Sequence, residues 1–160
     1  MRILVAGIGN IFLADDGFGP AVIARLRGSH DVEGVEIADY GIRGMDLALA
    51  LTDGVDAAIL VDATPRGGAP GTLYVIDPVR PDAQGIAPQA LDAHALHPAA
   101  VLGLARTLGT LPAQLRVLGC EPGAFPADDD VEVGLSPAVA AAIEPAARLV
   151  VQLISEVQHA

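Results

Sequence analysis

Short apolar segments alternate with helical patterns along the chain. Each apolar segment ends at a glycine, an aspartate or a turn, as the buried strands of a parallel sheet do. The predicted strands are Arg2–Ala6, Val35–Ala38, Ala57–Val61, Thr72–Ile76 and Leu115–Gly119. The predicted helices are Phe18–Leu26, Met45–Leu51, Pro98–Leu108 and Pro137–Val157. This order predicts a three-layer α/β/α sandwich around a five-stranded, mostly parallel sheet.

One strand is not predicted to be parallel to the others. The loop 63–71 is rich in glycine and proline, and it is shorter than the dozen or so residues that a parallel crossover needs. Strand Thr72–Ile76 is therefore predicted to be antiparallel and to lie at the sheet edge. The first strand is predicted to be central, between the second and the third. That order creates a switch point at the carboxyl ends of strands one and three, where open α/β sheets bind ligands.

The last helix has clear start signals. Ser136 is suited to the N-cap and Pro137 to the first helical position. Pro145 falls inside the helix and is expected to bend it. The region 137–154 is apolar, but Glu144, Pro145 and Arg148 interrupt it. We therefore expect a core-facing helix rather than a membrane span.

The composition narrows the class of protein. A chain of 160 residues is expected to form one domain, 1–160, and the content of 52% hydrophobic but only 3% aromatic residues predicts an aliphatic core. The formal net charge of -11 argues against nucleic acid and anionic membrane as partners and favours cations or a basic partner. The lone cysteine, Cys120, rules out an internal disulfide and fits a reducing, cytoplasmic compartment.

The turn after the first strand carries glycines and acids together. Gly7 and Gly9 suggest a dinucleotide fingerprint, but G-x-G-x-x-G needs glycine at position 12, where the chain has Phe12. Asp15 and Asp16 would also repel a phosphate at the following helix. No nucleotide cofactor is therefore expected. Two interpretations remain, a tight turn with one of these aspartates as the helix N-cap, or a cation site.

Acids follow three neighbouring strands. Asp16, Asp39 and Asp62 come after strands one, two and three, so they are predicted to meet at the carboxyl edge of the sheet. Simpler roles are available for two of them. Asp39 can close a turn before Gly41, and Asp62 can bond its own loop.

A histidine can complete a metal site with these acids. His94 lies in the long connection between strands four and five, which can fold back over the same edge. Two carboxylates and an imidazole suit zinc, nickel, manganese or iron. His97 precedes Pro98 and is interpreted as an N-cap-region residue.

Several ordered motifs carry a family resemblance. They are GIGN at 7–10, DDGFG at 15–19, DYGIRGM at 39–45, VDA at 61–63, PGT at 70–72, HAL at 94–96, GCEP at 119–122 and GLSP at 134–137. In this order they resemble the hydrogenase maturation endopeptidases. These enzymes cleave a short C-terminal extension from the large-subunit precursor of nickel–iron hydrogenases.

The resemblance implies roles for particular residues. The family's metal-binding positions fall on Asp16, Asp62 and His94, with Asp16 and Asp62 as the catalytic carboxylates. Many members have glutamate in place of Asp16, so this ligand is shorter by one methylene. The family's substrate-recognition loop falls on Asp39–Met45, which implies recognition by Asp39, Gly41, Arg43 and Gly44.

The resemblance also implies an unusual substrate. The nickel belongs to the hydrogenase precursor, and the protease recognises the loaded metal before it cleaves. The implied protein is an aspartyl-type endopeptidase, expected to be monomeric and cytoplasmic. Two other functions stay open at this point, a non-catalytic nickel-binding maturation chaperone and a nucleotide-binding module built on the turn Gly7–Gly9.

Overall fold

The computed structural model describes residues 1–78, 97–123, 125 and 130–160. Five strands lie within these residues: β1 Ile3–Ile8, β2 Val35–Gly41, β3 Ala57–Ala63, β4 Leu73–Ile76 and β5 Gln114–Cys120. The described helices are α1 Phe18–Leu26, α2 Gly44–Thr52, α3 Pro98–Leu108 and α4 Pro137–Gln158, with a 3₁₀ turn at Ala14–Gly17. The predicted helices and strands are thus all present.

The sheet has the strand order β2-β1-β3-β5-β4. The first four strands in that order are parallel, and β4 runs antiparallel to β5 at the edge. The short loop before β4 therefore predicted its direction correctly. β1 does lie between β2 and β3, but the middle strand of the five is β3, because β5 and β4 extend the sheet beyond it.

The sheet separates two aliphatic core layers. Alternate residues of β1 point to opposite faces, so Val5 packs with α1 and α4 while Leu4 packs with α2 and α3. All residues of β1 and β3 are buried. Among the residues that the structure describes, Phe18 is the one aromatic member of the largest fully buried side chains. The three-layer α/β/α sandwich is confirmed, with the core that the composition predicted.

The strands continue further than their apolar residues. Asp39 is the partner of Gly7 in the β1–β2 pairing, and Asp62 is the partner of Gly119 in the β3–β5 pairing. Both acids were predicted to follow their strands and instead lie within the strand ends. Backbone pairing continues past the last apolar side chain because it depends on N–H and C=O groups rather than on the side chain.

Helix α4 is the one helix in the described ranges that is long and apolar enough to cross a membrane. Its apolar side, including Val139, Val150 and Leu153, packs against the sheet as part of the core. Ser136 is its N-cap residue and Pro145 lies inside it, both as predicted. The Ser136 side chain makes no capping hydrogen bond. Its hydroxyl donates instead to the side chain of Asp15.

Candidate active site

Glycines allow the β1–α1 turn to lie against the carboxyl ends of β1 and β3. Gly9 has a φ of 140°, and a Cβ on it would overlap the carbonyl oxygen of Asp16. A Cβ on Gly19 would overlap the backbone oxygens of Ile8 and Val61. Ala14, with a φ of 47°, is the only non-glycine residue with a positive φ in the described ranges. This close packing places the 3₁₀ turn, and with it Asp16, over the predicted switch point.

The two adjacent aspartates of this turn, Asp15 and Asp16, differ in burial and in their hydrogen-bond partners. Asp15 is fully buried, and its Oδ1 accepts a hydrogen bond from the Ser136 amide at 2.7 Å. Its Oδ2 accepts from the Ser136 hydroxyl and the Gly123 amide, both at 2.8 Å. Asp15 therefore ties the 3₁₀ turn to the segment between β5 and α4.

Asp16 is half-buried, and its Oδ2 accepts a hydrogen bond from the Asn10 amide at 2.7 Å. The N-cap of α1 is Gly17, without any side-chain capping bond. The interpretation of Asp15 or Asp16 as N-cap of this helix is therefore wrong. Both carboxylates are already used by amide or hydroxyl donors outside the helix.

Asp62 is a buried carboxylate with an unused oxygen. The residue is 1% exposed, and its Oδ1 has no hydrogen-bond partner within the described residues. Burial raises the pKa of Asp62 well above its ordinary value, the nearby Asp16 carboxylate raises it further, and a backbone hydrogen bond from Ala63 opposes both effects. A buried acid with a free oxygen is costly to ionise unless a cation or a proton accompanies it.

Asp16 and Asp62 form an electrostatically coupled pair. Burial raises the pKa of Asp16, while the hydrogen bond from Asn10 and the charge of His97 lower it. The charge of Asp16 raises the pKa of Asp62, so the two acids lie near each other at this edge of the sheet, as the sequence predicted. Two like charges repel each other in this partly buried site. The pair is therefore stabilised by one proton or one cation between the two carboxylates.

The histidine of the predicted metal site lies outside the described residues. The position of His94 therefore stays a prediction. His97 is the N-cap residue of α3, as the sequence indicated, and it is half-buried and close enough to influence Asp16. Within residues 1–78, 97–123, 125 and 130–160, no three His, Cys, Asp or Glu side chains converge as a metal site.

The predicted recognition loop is a tight turn joined to the β1 turn. Asp39 Oδ1 accepts a hydrogen bond from the Gly41 amide at 2.8 Å, which confirms the interpretation of Asp39 as a turn-closing residue. Gly41 has a φ of 54°, and its carbonyl accepts a hydrogen bond from the Gly9 amide at 3.0 Å. The loop at 39–44 and the loop that carries Asp16 are therefore connected directly.

Arg43 is held in place but remains open to solvent. Its guanidinium donates to the carbonyl of Asp39 at 2.5 Å, lies 5.5 Å from the ring centre of Tyr40 and pairs with Asp46 at 3.6 Å. The side chain is 60% exposed. Gly44 follows it as the first residue of α2. The arrangement leaves a positive group at the rim of an otherwise acidic edge.

Sequence reasoning missed the structural role of Glu121. This residue is 5% exposed and accepts hydrogen bonds from the amides of Arg66 and Gly67 at 2.7 and 3.0 Å. The Tyr74 hydroxyl donates to it at 3.0 Å, and the Arg66 guanidinium lies 5.2 Å from the ring centre of Tyr74. Glu121 thus fixes the loop between β3 and β4. The GCEP motif was the one signal that marked it.

Cys120 does not have the properties of a nucleophile. The thiol is fully buried, and burial raises its pKa to about 12. Since the thiolate is the reactive form, this side chain is inert at neutral pH. Cys120 instead packs as a small side chain in the core.

Known proteins are similar to this chain in both sequence and fold. A family model described as "Hydrogenase maturation protease" matches residues 20–153, which include Asp62 and the loop at 39–44. The chain is 32% identical over 158 residues to the Hydrogenase 2 maturation protease of Escherichia coli K12, covering 98% of this chain and 92% of the relative. That alignment is long enough to reach the turn around Asp16.

Two solved structures extend the comparison to three dimensions. The hydrogenase maturating endopeptidase HybD from E. coli matches with a TM-score of 0.80 and 34% identity, covering 98% of this chain and 93% of that one. The hydrogenase 2 maturation peptidase from a Thaumarchaeota archaeon matches with a TM-score of 0.71 and 31% identity, covering 97% and 99%. Together with the acidic pair at the sheet edge, these matches show that the chain belongs to the hydrogenase maturation proteases and is a peptidase.

Proposed function

We propose that this protein removes the C-terminal extension from the large-subunit precursor of a nickel–iron hydrogenase after nickel insertion. Membership of the maturation protease family supports the reaction and the class of substrate. The observation that carries the proposed site is the coupled pair Asp16 and Asp62, with the unused Oδ1 of Asp62 buried at the sheet edge.

The acidic pair fits the nickel of a loaded precursor. Carboxylate oxygens together with an imidazole are suitable ligands for nickel, and a cation would relieve the repulsion between Asp16 and Asp62. His94 is the third ligand in this proposal. The nickel itself is part of the substrate, and it supplies positive charge beside the scissile peptide bond.

Peptide hydrolysis also needs a proton acceptor in the site. In peptide hydrolysis the oxygen of water bonds to the carbonyl carbon, the C–N bond breaks, and a proton reaches the leaving amine. A carboxylate can take the proton from water and later return it to that amine. Asp16 is half-buried and so accessible to water, whereas Asp62 is buried. We therefore assign the proton transfer to Asp16 and recognition of the positive charge of nickel to Asp62.

Neither alternative function is favoured by an observation. The relatives are named as proteases and endopeptidases rather than as chaperones. At the glycine turn, the carboxylate of Asp16 accepts a hydrogen bond from the Asn10 amide. In a nucleotide site, a phosphate would need such an amide as its own donor.

The loop at 39–44 is proposed to choose the substrate. Its connection to the β1 turn places it beside the acidic pair, and Arg43 offers an exposed cation there. Asp39 and Gly41 shape the turn, and Gly44 begins the following helix. We also propose that the enzyme acts as a monomer in the cytoplasm, where the unpaired thiol of Cys120 would stay reduced.

Substitution Arg43→Ala is expected to weaken precursor recognition and to leave the chemistry intact. An exposed charge contact is worth up to about 1 kcal/mol, so KM should rise by up to about fivefold while kcat stays constant. Steady-state kinetics with the nickel-loaded precursor measure both constants. Arg106→Ala, an exposed arginine in the last turn of α3, is the matched control and should change neither. A fall in kcat with constant KM would contradict the recognition role.

The proposed activity is tested by mass measurement of a nickel-loaded precursor incubated with the purified protein. The expected result is a product shortened by its C-terminal extension, together with the released peptide. A precursor that binds the protein but keeps its full mass would overturn the proposed activity and favour the maturation chaperone.

A further inference from the structure

Two buried polar atoms at the end of β3 have no hydrogen-bond partner. They are Oδ1 of Asp62 and Oγ1 of Thr64, and no other buried side-chain oxygen or nitrogen in the described part of the chain lacks a partner. Thr64 as a whole is half-buried, but its hydroxyl oxygen is enclosed. A buried hydroxyl without a partner lowers stability, so it indicates a hydrogen bond that forms in another state of the protein.

The backbone places both side chains on one face of the sheet. The Thr64 amide donates a hydrogen bond to the Cys120 carbonyl at 2.8 Å, which continues the β3–β5 pairing one residue past Ala63. Side chains alternate between the two faces along such a backbone. Thr64 therefore faces the same way as Asp62, two residues before it.

Gly119 leaves the space into which the Thr64 side chain extends. Gly119 is the β5 partner of Asp62, and a Cβ on Gly119 would overlap the Thr64 hydroxyl oxygen. The hydroxyl therefore lies over β5 at the position beside Asp62, and neighbouring strands are only about 4.8 Å apart. Rotation about the side-chain bonds of Asp62 and Thr64 can join the two atoms without movement of the backbone.

The other buried carboxylates are already occupied by donors. Glu121 accepts hydrogen bonds from two amides of the loop before β4 and from the Tyr74 hydroxyl. Asp15 accepts its hydrogen bonds from the segment between β5 and α4. Oδ1 of Asp62 is therefore the buried acceptor that remains for the Thr64 hydroxyl.

A carboxylate that binds a metal ion needs a donor for its other oxygen. Hydrogen bonds of this kind orient the ligand, and their loss typically lowers metal affinity by about 10–100-fold. When a cation engages one oxygen of Asp62, the carboxylate is ionised and its second oxygen can accept a strong hydrogen bond. Thr64 carries an unused hydroxyl at the place where that donor is required.

We propose that Thr64 is a positioning residue for the nickel of the precursor: its hydroxyl donates a hydrogen bond to one oxygen of Asp62 while the other oxygen binds the metal. This inference rests on the proposed function, because it takes the nickel of a loaded precursor as the ion. Thr64 touches neither the nickel nor the scissile bond and acts through Asp62.

The test compares Thr64→Val with the wild type in affinity for nickel-loaded and for nickel-depleted precursor. Valine keeps the shape of the side chain and removes the hydroxyl. The Kd for the loaded form is expected to rise by about 10–100-fold, and the Kd for the depleted form should not change. Thr64→Ser keeps the hydroxyl and should recover most of the affinity. Equal losses for both forms would show a merely structural role and overturn the proposal.

Two further readouts separate this role from a structural one. Because the hydroxyl is unpaired in the free protein, Thr64→Val should melt at the wild-type temperature or above it. A Tm lowered by several degrees would show that the hydroxyl is already bonded and would overturn the proposal. In an Asp62→Asn background, Thr64→Val should raise Kd no further, since the charge through which it acts is already absent. An additional rise there would also contradict the proposal.

Thr52→Val is the matched control. Thr52 is a half-buried threonine at the end of α2, at the amino edge of the sheet, and its hydroxyl donates to the Leu49 carbonyl at 2.9 Å. This variant should leave both Kd values unchanged. If Thr64→Val bound loaded precursor as tightly as the wild type, the inference would fail and the proposed function would stand. Failure of the proposed function has a different signature, since the wild type would then bind loaded precursor without shortening it.

Discussion

Asp62→Asn is expected to lower precursor processing by about 10²–10³-fold while the protein stays folded. Asparagine keeps the shape of the side chain but removes the negative charge that faces Asp16. The variant loses the buried negative charge to which we assign recognition of the precursor's nickel. Cleavage rates followed by intact mass measure the loss, and near-normal cleavage would contradict the assigned role.

The same variant is expected to be at least as stable as the wild type at neutral pH. Burial raises the pKa of Asp62, and that of Asp16 to a lesser extent, so the folded protein binds protons more tightly than the unfolded chain. Their contribution to stability is therefore complete below the ordinary carboxyl pKa and is lost as the pH rises through the raised values. Asp62 has the more strongly raised pKa of the two, so Asp62→Asn removes most of this loss of stability with rising pH.

Melting curves of metal-free protein over a range of pH test this predicted direction of the pH dependence of stability. The Tm of Asp62→Asn relative to the wild type should increase as the pH rises from acid to neutral. Each kcal/mol gained corresponds to about 2–4 °C in a domain of this size. A variant that is less stable than the wild type by the same margin at every pH would show that Asp62 is not a strained, buried acid.

Gly19→Ala is expected to destabilise the protein by about 3 kcal/mol or more, or about 6–12 °C in Tm. The added methyl group would overlap the backbone oxygens of Ile8 and Val61, which cannot move without disturbing two central strands. Helix α1 would then have to move away from the sheet, and Asp16 with it. Processing should fall together with stability, since the acidic pair depends on this close approach.

Gly103→Ala is the matched control for that substitution. Gly103 is also a helical glycine, in α3, but it is exposed and a Cβ there would have nothing within 4 Å. Alanine is the better helix former, so this variant should gain up to about 1 kcal/mol. If both variants had equal stability, the close packing of α1 against the strands would not be the reason for Gly19.

Local patterns were sufficient to predict most of the fold. Apolar runs located the strands, loop length gave the antiparallel direction of β4, and the turn chemistry of Asp39 before Gly41 was correct. Each of these features depends on residues close together in sequence. The strand ends were less well predicted, because backbone pairing carries Asp39 and Asp62 into the sheet.

Long-range contacts were beyond sequence reasoning. Nothing in the pair Asp15 and Asp16 shows which side chain turns toward Ser136 and Gly123, more than a hundred residues away. The partners of Glu121 are also distant in the chain, so its buried role was not foreseen. The coupled acids Asp16 and Asp62 were predictable because parallel strands bring their carboxyl ends to one edge.

The measurement that tests the central claim most directly compares two forms of one precursor. Nickel-loaded and nickel-depleted large subunits are incubated separately with the wild-type protein, and the intact mass of each is followed over time. The account predicts that the loaded form loses its C-terminal extension and that the depleted form keeps it. Cleavage of both forms at the same rate would contradict the recognition of substrate nickel by Asp16 and Asp62.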